Sequence, residues 1–355
     1  MKKLNFIIKY GLALLLLSFY SCESWLNVTP SDRLSEEMLF NDREGFVKAL
    51  NGVYIELNTN ELYGRNLTAG ALDVMGQYYS VASSSHAFYN YGGLVYTGND
   101  EKALFDNMWQ KCYAVIACCN TIIEKCDENK AGLSPVWRGS IKGEALALRA
   151  MLHFDMLRLF GPLTSELDKE SIPYQTNSDQ TVTPLLSGSE VVGLILDDLK
   201  NAVGLLKDTD PYFVEEEFSD TDLNYRRFRM NYFAANALLA RMYMYNGDEE
   251  NAYKNACIAY GFHKRWFKWT ANSNQGSVSN INFLYPKRYN ELFLCFSNND
   301  VVDNVEKIFE NYRYALQMKN MDVLFAGDMD DYRYTGFYNK TTLAYGAKRY
   351  ATWLR

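Results

Sequence analysis

Apolar residues recurring at alternating steps of three and four restrict the folds open to this chain more than any other feature. Val192, Ile195, Leu199, Ala202 and Leu206 step by 3, 4, 3 and 4. On a helix of about 3.6 residues per turn that spacing lines one face, so the segment must bury a stripe against a neighbour. The same rhythm passes through Ala145, Leu148, Leu152, Asp155, Met156 and Leu159 and stops at Gly161-Pro162, where proline cannot continue a helix. The pattern predicts helices over 35–55, 101–127 and 137–160, then a second group from Ser189, over 230–245, and from Asp248 onward. Asp248 is the expected cap of the last of these, with Glu249 and Glu250 in the first turn, where the helix dipole favours acids.

These helices fall into pairs. Ala147-Leu-Arg-Ala150 and Ala237-Leu-Leu-Ala240 lie 90 residues apart in matching places. Small residues there let backbones approach, and the pairing predicts a tetratricopeptide-like array, although no strict period of about 34 residues is visible. Two segments differ in character. Residues 61–100 are rich in Gly, Ser, Asn and Tyr, and residues 262–345 read as irregular, with short apolar runs such as Leu292 to Phe296. Loops this long and aromatic inside an ordered domain are usually functional.

The amino terminus obeys other rules. Lys2 and Lys3 precede a mostly apolar run from Gly11 to Tyr20, followed by Ser21-Cys22. At about 1.5 Å per residue the run covers about half of a ~30 Å hydrocarbon core, so residues 1–21 read as an export signal and not as a span. A cysteine at the cleavage point resembles the lipobox of bacterial lipoproteins, in which Cys22 would carry the lipid. The alternative is an ordinary signal peptide with an incidental cysteine, and the bulk of Phe19 and Tyr20 favours that alternative. Cleavage before Cys22 removes three lysines and no acid, taking the net charge from −7 to −10 and leaving 334 residues. That length suits two fused lobes or an elongated array. Its charge repels phosphate backbones, and no basic block offsets this, so nucleic acid is excluded as an expected partner.

Cys112, Cys119 and Cys126 recur every seven residues inside a helical pattern. Seven residues rise about 10.5 Å, too far for one metal ion or for a disulfide between neighbours. They are expected as small buried apolar residues. His86, His153 and His263 are the only histidines, and none has a metal-ligand spacing to another. No metal and no cofactor is expected.

Several motifs, in order along the chain, carry a family resemblance: Cys22 with Trp25-Leu26-Asn27-Val28-Thr29-Pro30, Glu44-Gly45, Ala49-Leu50, and Gly52-Val53-Tyr54. Gly143 to Ala150, His153-Phe154-Asp155, Arg158 to Pro162, Ile172-Pro173-Tyr174, Asp197-Asp198-Leu199, Arg229 to Arg241 with Tyr243-Met244-Tyr245, and Asn290-Glu291-Leu292 continue it. Together they resemble the SusD/RagB family of outer-membrane nutrient-binding lipoproteins. The resemblance implies a mainly α fold, a tetratricopeptide-like helical-pair scaffold with a long-loop, partly irregular or β lobe. It implies domains of 1–21 for the signal, 22–34 for a tether, 35–260 for the scaffold with the aromatic insertion 61–100, and 261–355 for a mixed irregular lobe.

The implied role is cell-surface binding of an oligosaccharide, or in some members a peptide, and its delivery to a SusC-like TonB-dependent transporter, without catalysis. The protein would sit on the outer membrane through its lipid anchor, facing the exterior. The expected ligand contacts lie in 61–100: Asp73 accepting from hydroxyls, with Tyr78, Tyr79, Tyr89 and Tyr91 offering flat faces. Alternatively, individual rings only hold the loop on the scaffold. Trp266 and Trp269, beside Lys264, Arg265 and Lys268, form a second candidate, with a snorkelling helix end as the competing reading. Trp109, on a predicted scaffold helix, is expected in the core. A secreted glycoside hydrolase is the competing class: some acidic pair could be proposed among 43 acids. Against it, no G-x-S-x-G, HExxH or phosphate loop is present. A third reading, a helical adaptor, predicts no small-molecule binding.

Lys348 to Arg355 resembles the stretch that leads into the family's final helices. The expectation from this likeness is a chain truncated before those helices, with scaffold faces left uncovered.

Overall fold

The computed structural model describes residues 36–266, apart from 69, 82 and 180, together with 293–296, 316–318 and 323. Most of its long helices begin where a side chain takes over orphan N–H groups. Helix α1 is a single turn, Glu36–Leu39, and α2 spans Arg43–Leu57. The sequence predicts one helix over 35–55. It breaks because Asp42 turns to accept a hydrogen bond from the Gly45 N–H at 2.8 Å.

In the insertion, α3 is Ala71–Met75, β1 is Tyr79–Val81 and α4 is Tyr89–Gly92. Helix α5, Asn99–Glu128, then runs 30 residues to Asn129, which ends it in the left-handed region at φ 45°. Ser134 caps α6, Pro135–Phe160, with proline at the first position where its missing N–H costs nothing. Strands β2, Glu170–Pro173, and β3, Leu185–Ser187, form a small antiparallel pair. Ser187 and Glu190 make a reciprocal capping box at the head of α7, Gly188–Thr209. Short α8, Asp220–Asn224, precedes α9, Tyr232–Tyr245, where the Asn231 side chain accepts from the N–H groups of Phe233 and Ala234. Helix α10, Glu249–Trp266, runs past the boundary expected at residue 260, and β4 is Leu316–Met318.

The large helices stack in the order α2, α5, α6, α7, α9, α10, each mainly against its neighbours in that series. This is the helical-pair array that the periodicity predicts. Its tightest junction is α6 with α7. A Cβ on Gly139 would stand 2.6 Å from the Thr209 side chain, and one on Gly143 would stand 2.8 Å from Leu206, so the two glycines allow the approach. The α7 stripe, Val192, Ile195, Leu199, Ala202 and Leu206, is buried. Each of its four larger side chains contributes about 1.5–3 kcal/mol on full burial, and Ala202 less. Cys112, Cys119 and Cys126 are free, buried thiols, as small apolar residues would be; burial pushes the Cys126 thiol up to about 12. Trp109 is partly buried against the same core.

The motif residues that carry the family likeness tie the helices together from inside. Arg149 on α6 pairs with both oxygens of Asp198 on α7, at 2.7 Å each, and Tyr174 donates to the same carboxylate at 2.6 Å. A second cluster surrounds Arg226, which is 1% exposed. Its guanidinium meets Glu144 and the two oxygens of Asp210. Glu144 also accepts from the Tyr54 hydroxyl at 2.8 Å and from Arg229 at 3.1 Å. Burial alone would raise the Glu144 carboxyl, but Arg226 and Arg229 outweigh it and hold the group below its ordinary range. Residues 293–296 return to this region: Asn231 donates to the Phe293 carbonyl at 2.6 Å, and Phe296 lies 5.2 Å from the Tyr63 ring.

Candidate functional site

The insertion between α2 and α5 is more ordered than a loop reading predicts. The chain first turns through residues 58–68, where successive backbone N–H groups find carbonyls a few residues back. Gly70, at φ 81°, opens α3. Gln77 takes a left-handed φ of 61° and reverses the chain into β1, while its side-chain amide reaches the Gly92 carbonyl at 3.4 Å. Strand β1 pairs antiparallel with β4, Tyr79 opposite Met318 and Val81 opposite Leu316, so a segment some 240 residues later in the chain braces the lobe.

Inside, Ala71, Val74, Tyr79 and Tyr91 form a core of their own, joined by Phe88, Tyr96, Leu104 and Phe105. Rings meet at angles: Tyr91 to Phe105 at 6.0 Å, Tyr96 to Phe105 at 5.4 Å, and Phe105 to Phe160 of α6 at 6.2 Å. Such edge-on pairs contribute about 0.5–1.5 kcal/mol beyond their area. Phe105 therefore links the small core to the scaffold. Asn90 donates to Glu101 at 2.9 Å and fixes α4 to the first turn of α5.

This arrangement divides the residues named from the sequence. Tyr79 and Tyr91 are 5% and 3% exposed, so their faces are spent on packing. Burial, with Glu101 and Asp100 nearby, pushes the Tyr91 hydroxyl up to about 12. Tyr78 and Tyr89 are 59% and 44% exposed and keep ring surface for a ligand. Asp73 is half-buried in the first turn of α3, and its backbone carbonyl accepts from the Tyr78 N–H at 3.0 Å, which ties the two residues together. Trp266 closes α10, while Trp269 and Cys22 lie outside the described residues. The alternation of exposed and buried tyrosines had a partial sequence signal. Tyr78 sits in the bend just before β1 and Tyr79 is its first residue, so the turn and the core together decide which of the two faces inward.

Within the described residues, no group of three or more His, Cys, Asp or Glu is placed to hold a metal ion. No described helix is long and apolar enough to cross a membrane.

A SusD-like family model, described as starch-binding associating with outer membrane, matches residues 24–244. A SusD-like protein of Formosa agariphila is 24% identical over 261 residues, covering 72% of this chain and 45% of that protein. A second from the same organism is 27% identical over 199 residues, covering 51% and 34%. The chain thus spans less than half the length of these curated relatives. Among solved structures, a SusD superfamily protein from Bacteroides fragilis superposes with a TM-score of 0.64, covering 86% of this chain and 68% of that one at 16% identity. A SusD-like carbohydrate binding protein from Bacteroides vulgatus gives 0.53, covering 68% and 50% at 24% identity. The fold is shared with both.

Proposed function

The chain belongs to the SusD-like family, and from that premise we propose that it binds an oligosaccharide at the outer-membrane surface and hands it to a SusC-like TonB-dependent transporter. One observation carries the assignment of the site: Tyr78 and Tyr89 stay exposed on a lobe whose Tyr79, Tyr91 and Tyr96 pack in a separate core. Rigid exposed rings suit sugar C–H faces, because little conformational entropy is lost when a ligand stacks on them. At about 25 cal/mol per Å², covering roughly 50 Å² of a ring contributes about 1 kcal/mol. Two such rings, with ligand hydroxyls donating to neighbours such as Asp73, give millimolar to micromolar binding, on the order of −4 to −8 kcal/mol. Weak binding suits a protein that passes its cargo on.

The test is titration calorimetry of the full chain against neutral oligosaccharides, beginning with maltooligosaccharides. The Tyr78→Ala/Tyr89→Ala double variant should bind at least tenfold more weakly, about 1.4 kcal/mol, at an unchanged melting temperature. Tyr91→Ala should instead lower that temperature. Undiminished binding by the double variant removes the site from this lobe. Saturation by peptides and not by glycans selects a peptide-binding member, and steady release of reducing ends identifies a hydrolase.

A further inference from the structure

Helix α3 ends in a reversal of the kind that glycine usually makes. The Gln77 N–H donates to the Val74 carbonyl at 3.0 Å and the Tyr78 N–H to the Asp73 carbonyl at 3.0 Å, the paired bonds of a left-handed helix terminus. The residue at the turn is an exposed Gln77, at φ 61°. A side chain there sets a Cβ against the backbone, a steric cost that glycine would not bear and that the turn itself does not require. The Tyr78 ring lies on this reversal: a Cβ on Gly76 would stand 3.2 Å from two of its carbons. The turn therefore sets where that ring stands.

The Gln77 side chain supplies what a glycine could not. Its amide nitrogen donates to the Val74 carbonyl at 3.2 Å, within its own turn, and to the Gly92 carbonyl at 3.4 Å, across to the end of α4. The amide carries two hydrogens, so both carbonyls can be served at once. Tyr89 is the first residue of α4 and Gly92 the last. Asn90 carries the tie onward, donating at 2.9 Å to Glu101, which is 5% exposed in the first turn of α5. The two exposed rings are thus linked, through Gln77 and α4, to the 30-residue helix of the scaffold.

We propose that Gln77 is a positioning residue of the ligand platform, its amide setting how the Tyr78 ring stands relative to Tyr89; this rests on the reading of those two rings as the sugar-binding surface. A sugar chain gains from both rings at once only if their separation is held before it arrives, because freedom left to the rings is lost on binding. Bonds of 3.2 and 3.4 Å are long, so the tie is soft, and its removal weakens binding rather than abolishing it. Gln77 acts through Tyr78 and need not touch the ligand. Substitution separates the turn from the tie. Gln77→Gly eases the left-handed turn but deletes the amide, whereas Gln77→Glu keeps the length and the steric cost but presents a carboxylate, which cannot donate.

Two measurements on the full chain test this: calorimetric titration with maltoheptaose, and amide hydrogen exchange without ligand. Both variants should bind maltoheptaose roughly threefold or more weakly than wild type, while Gln77→Gly melts at or above the wild-type temperature. Exchange at Gly93, Leu94 and Val95, whose N–H groups bond back into α4, should quicken by roughly threefold or more in both variants. Exchange at Tyr78 should stay unchanged in Gln77→Gly, where the turn persists. A structural role alone makes affinity fall only together with melting temperature, and that result overturns the proposal. Wild-type affinity and wild-type exchange in both variants overturn it as well. A wild-type chain that binds no maltoheptaose is a separate failure, of the lobe as a site for that sugar. Exchange then decides whether Gln77 holds the rings: faster rates at 93–95 support the tie, and unchanged rates overturn it.

Discussion

His153 shows how much a single side chain is asked to hold. It is fully buried on α6, its Nδ1–H donating to the Arg149 carbonyl at 3.0 Å while Nε2 accepts from the Gln175 N–H at 3.1 Å. The ring stacks on Tyr174 at 3.9 Å. Both nitrogens are used by the neutral tautomer, and protonating Nε2 would set a proton against an N–H donor. Burial therefore pulls the imidazole from 6.5 down to about 3, with the Arg149 charge adding to the effect and its carbonyl opposing it. Because the folded value is lowered, the unfolded chain takes up the proton first, and stability falls as pH drops below about 6.5, levelling only near the folded value. The expected loss is about 2 kcal/mol at pH 5. Urea midpoints measured between pH 7.5 and 5 for wild type and His153→Gln should show the slope flattened in the variant. Equal slopes would assign the acid sensitivity elsewhere. Glu144 acts in the same direction but lower, its contribution lost as pH falls through its depressed value. Neither role was legible from the sequence. The sequence shows His153 only as a motif residue, because Tyr174 and Gln175 reach it from just past the end of β2.

At the scale of the helix, sequence and structure agree most closely where a stripe has a capped start. Helix α7 shows this: its apolar spacing and its Ser187/Glu190 box are both local, so both could be read in advance. The closeness of α6 and α7 was less visible, since a glycine in a helix is locally only a weakness. Gly143 and Gly193 separate the two cases. A methyl at Gly143 meets Leu206 at 2.8 Å and the Ala202 carbonyl at 3.3 Å, whereas at Gly193 it meets nothing within 4 Å. Gly143→Ala should then cost about 1–3 kcal/mol through overpacking. Gly193→Ala should add up to about 1 kcal/mol, since it restricts the unfolded chain and improves helix propensity. Thermal melts of the two variants check this, and shifts of the same sign in both would refute the close-approach account. The insertion shows the opposite failure. Its Gly, Ser and Asn content reads as loop, yet α3, β1 and α4 form because Tyr79 and Tyr91 find a core that includes Phe105 from the next helix.

For the molecule as a whole, the proposed function gives the scaffold, the lobe and the amino terminus separate tasks. The proposed surface role requires an anchor, which falls on Cys22, outside the described residues; the short apolar run that precedes it is its motivation. A Cys22→Ser variant expressed in its own host should leave the membrane pellet for the soluble fraction, because one unlipidated chain lacks the acyl groups that each methylene makes more adhesive by about 0.8 kcal/mol. Unchanged sedimentation would remove the lipid from the account. The sequence by itself determined the helices, their pairing and the family likeness, because apolar period, caps and ordered motifs are written within a few turns of chain. Only the tertiary structure decided which aromatics face outward, that Glu144, Arg149 and Arg226 spend their charge inside the scaffold, and that among the described residues α9 and α10 enclose a groove. Each of these depends on residues far apart in sequence meeting across packed helices, and local pattern carries no information about which partner arrives.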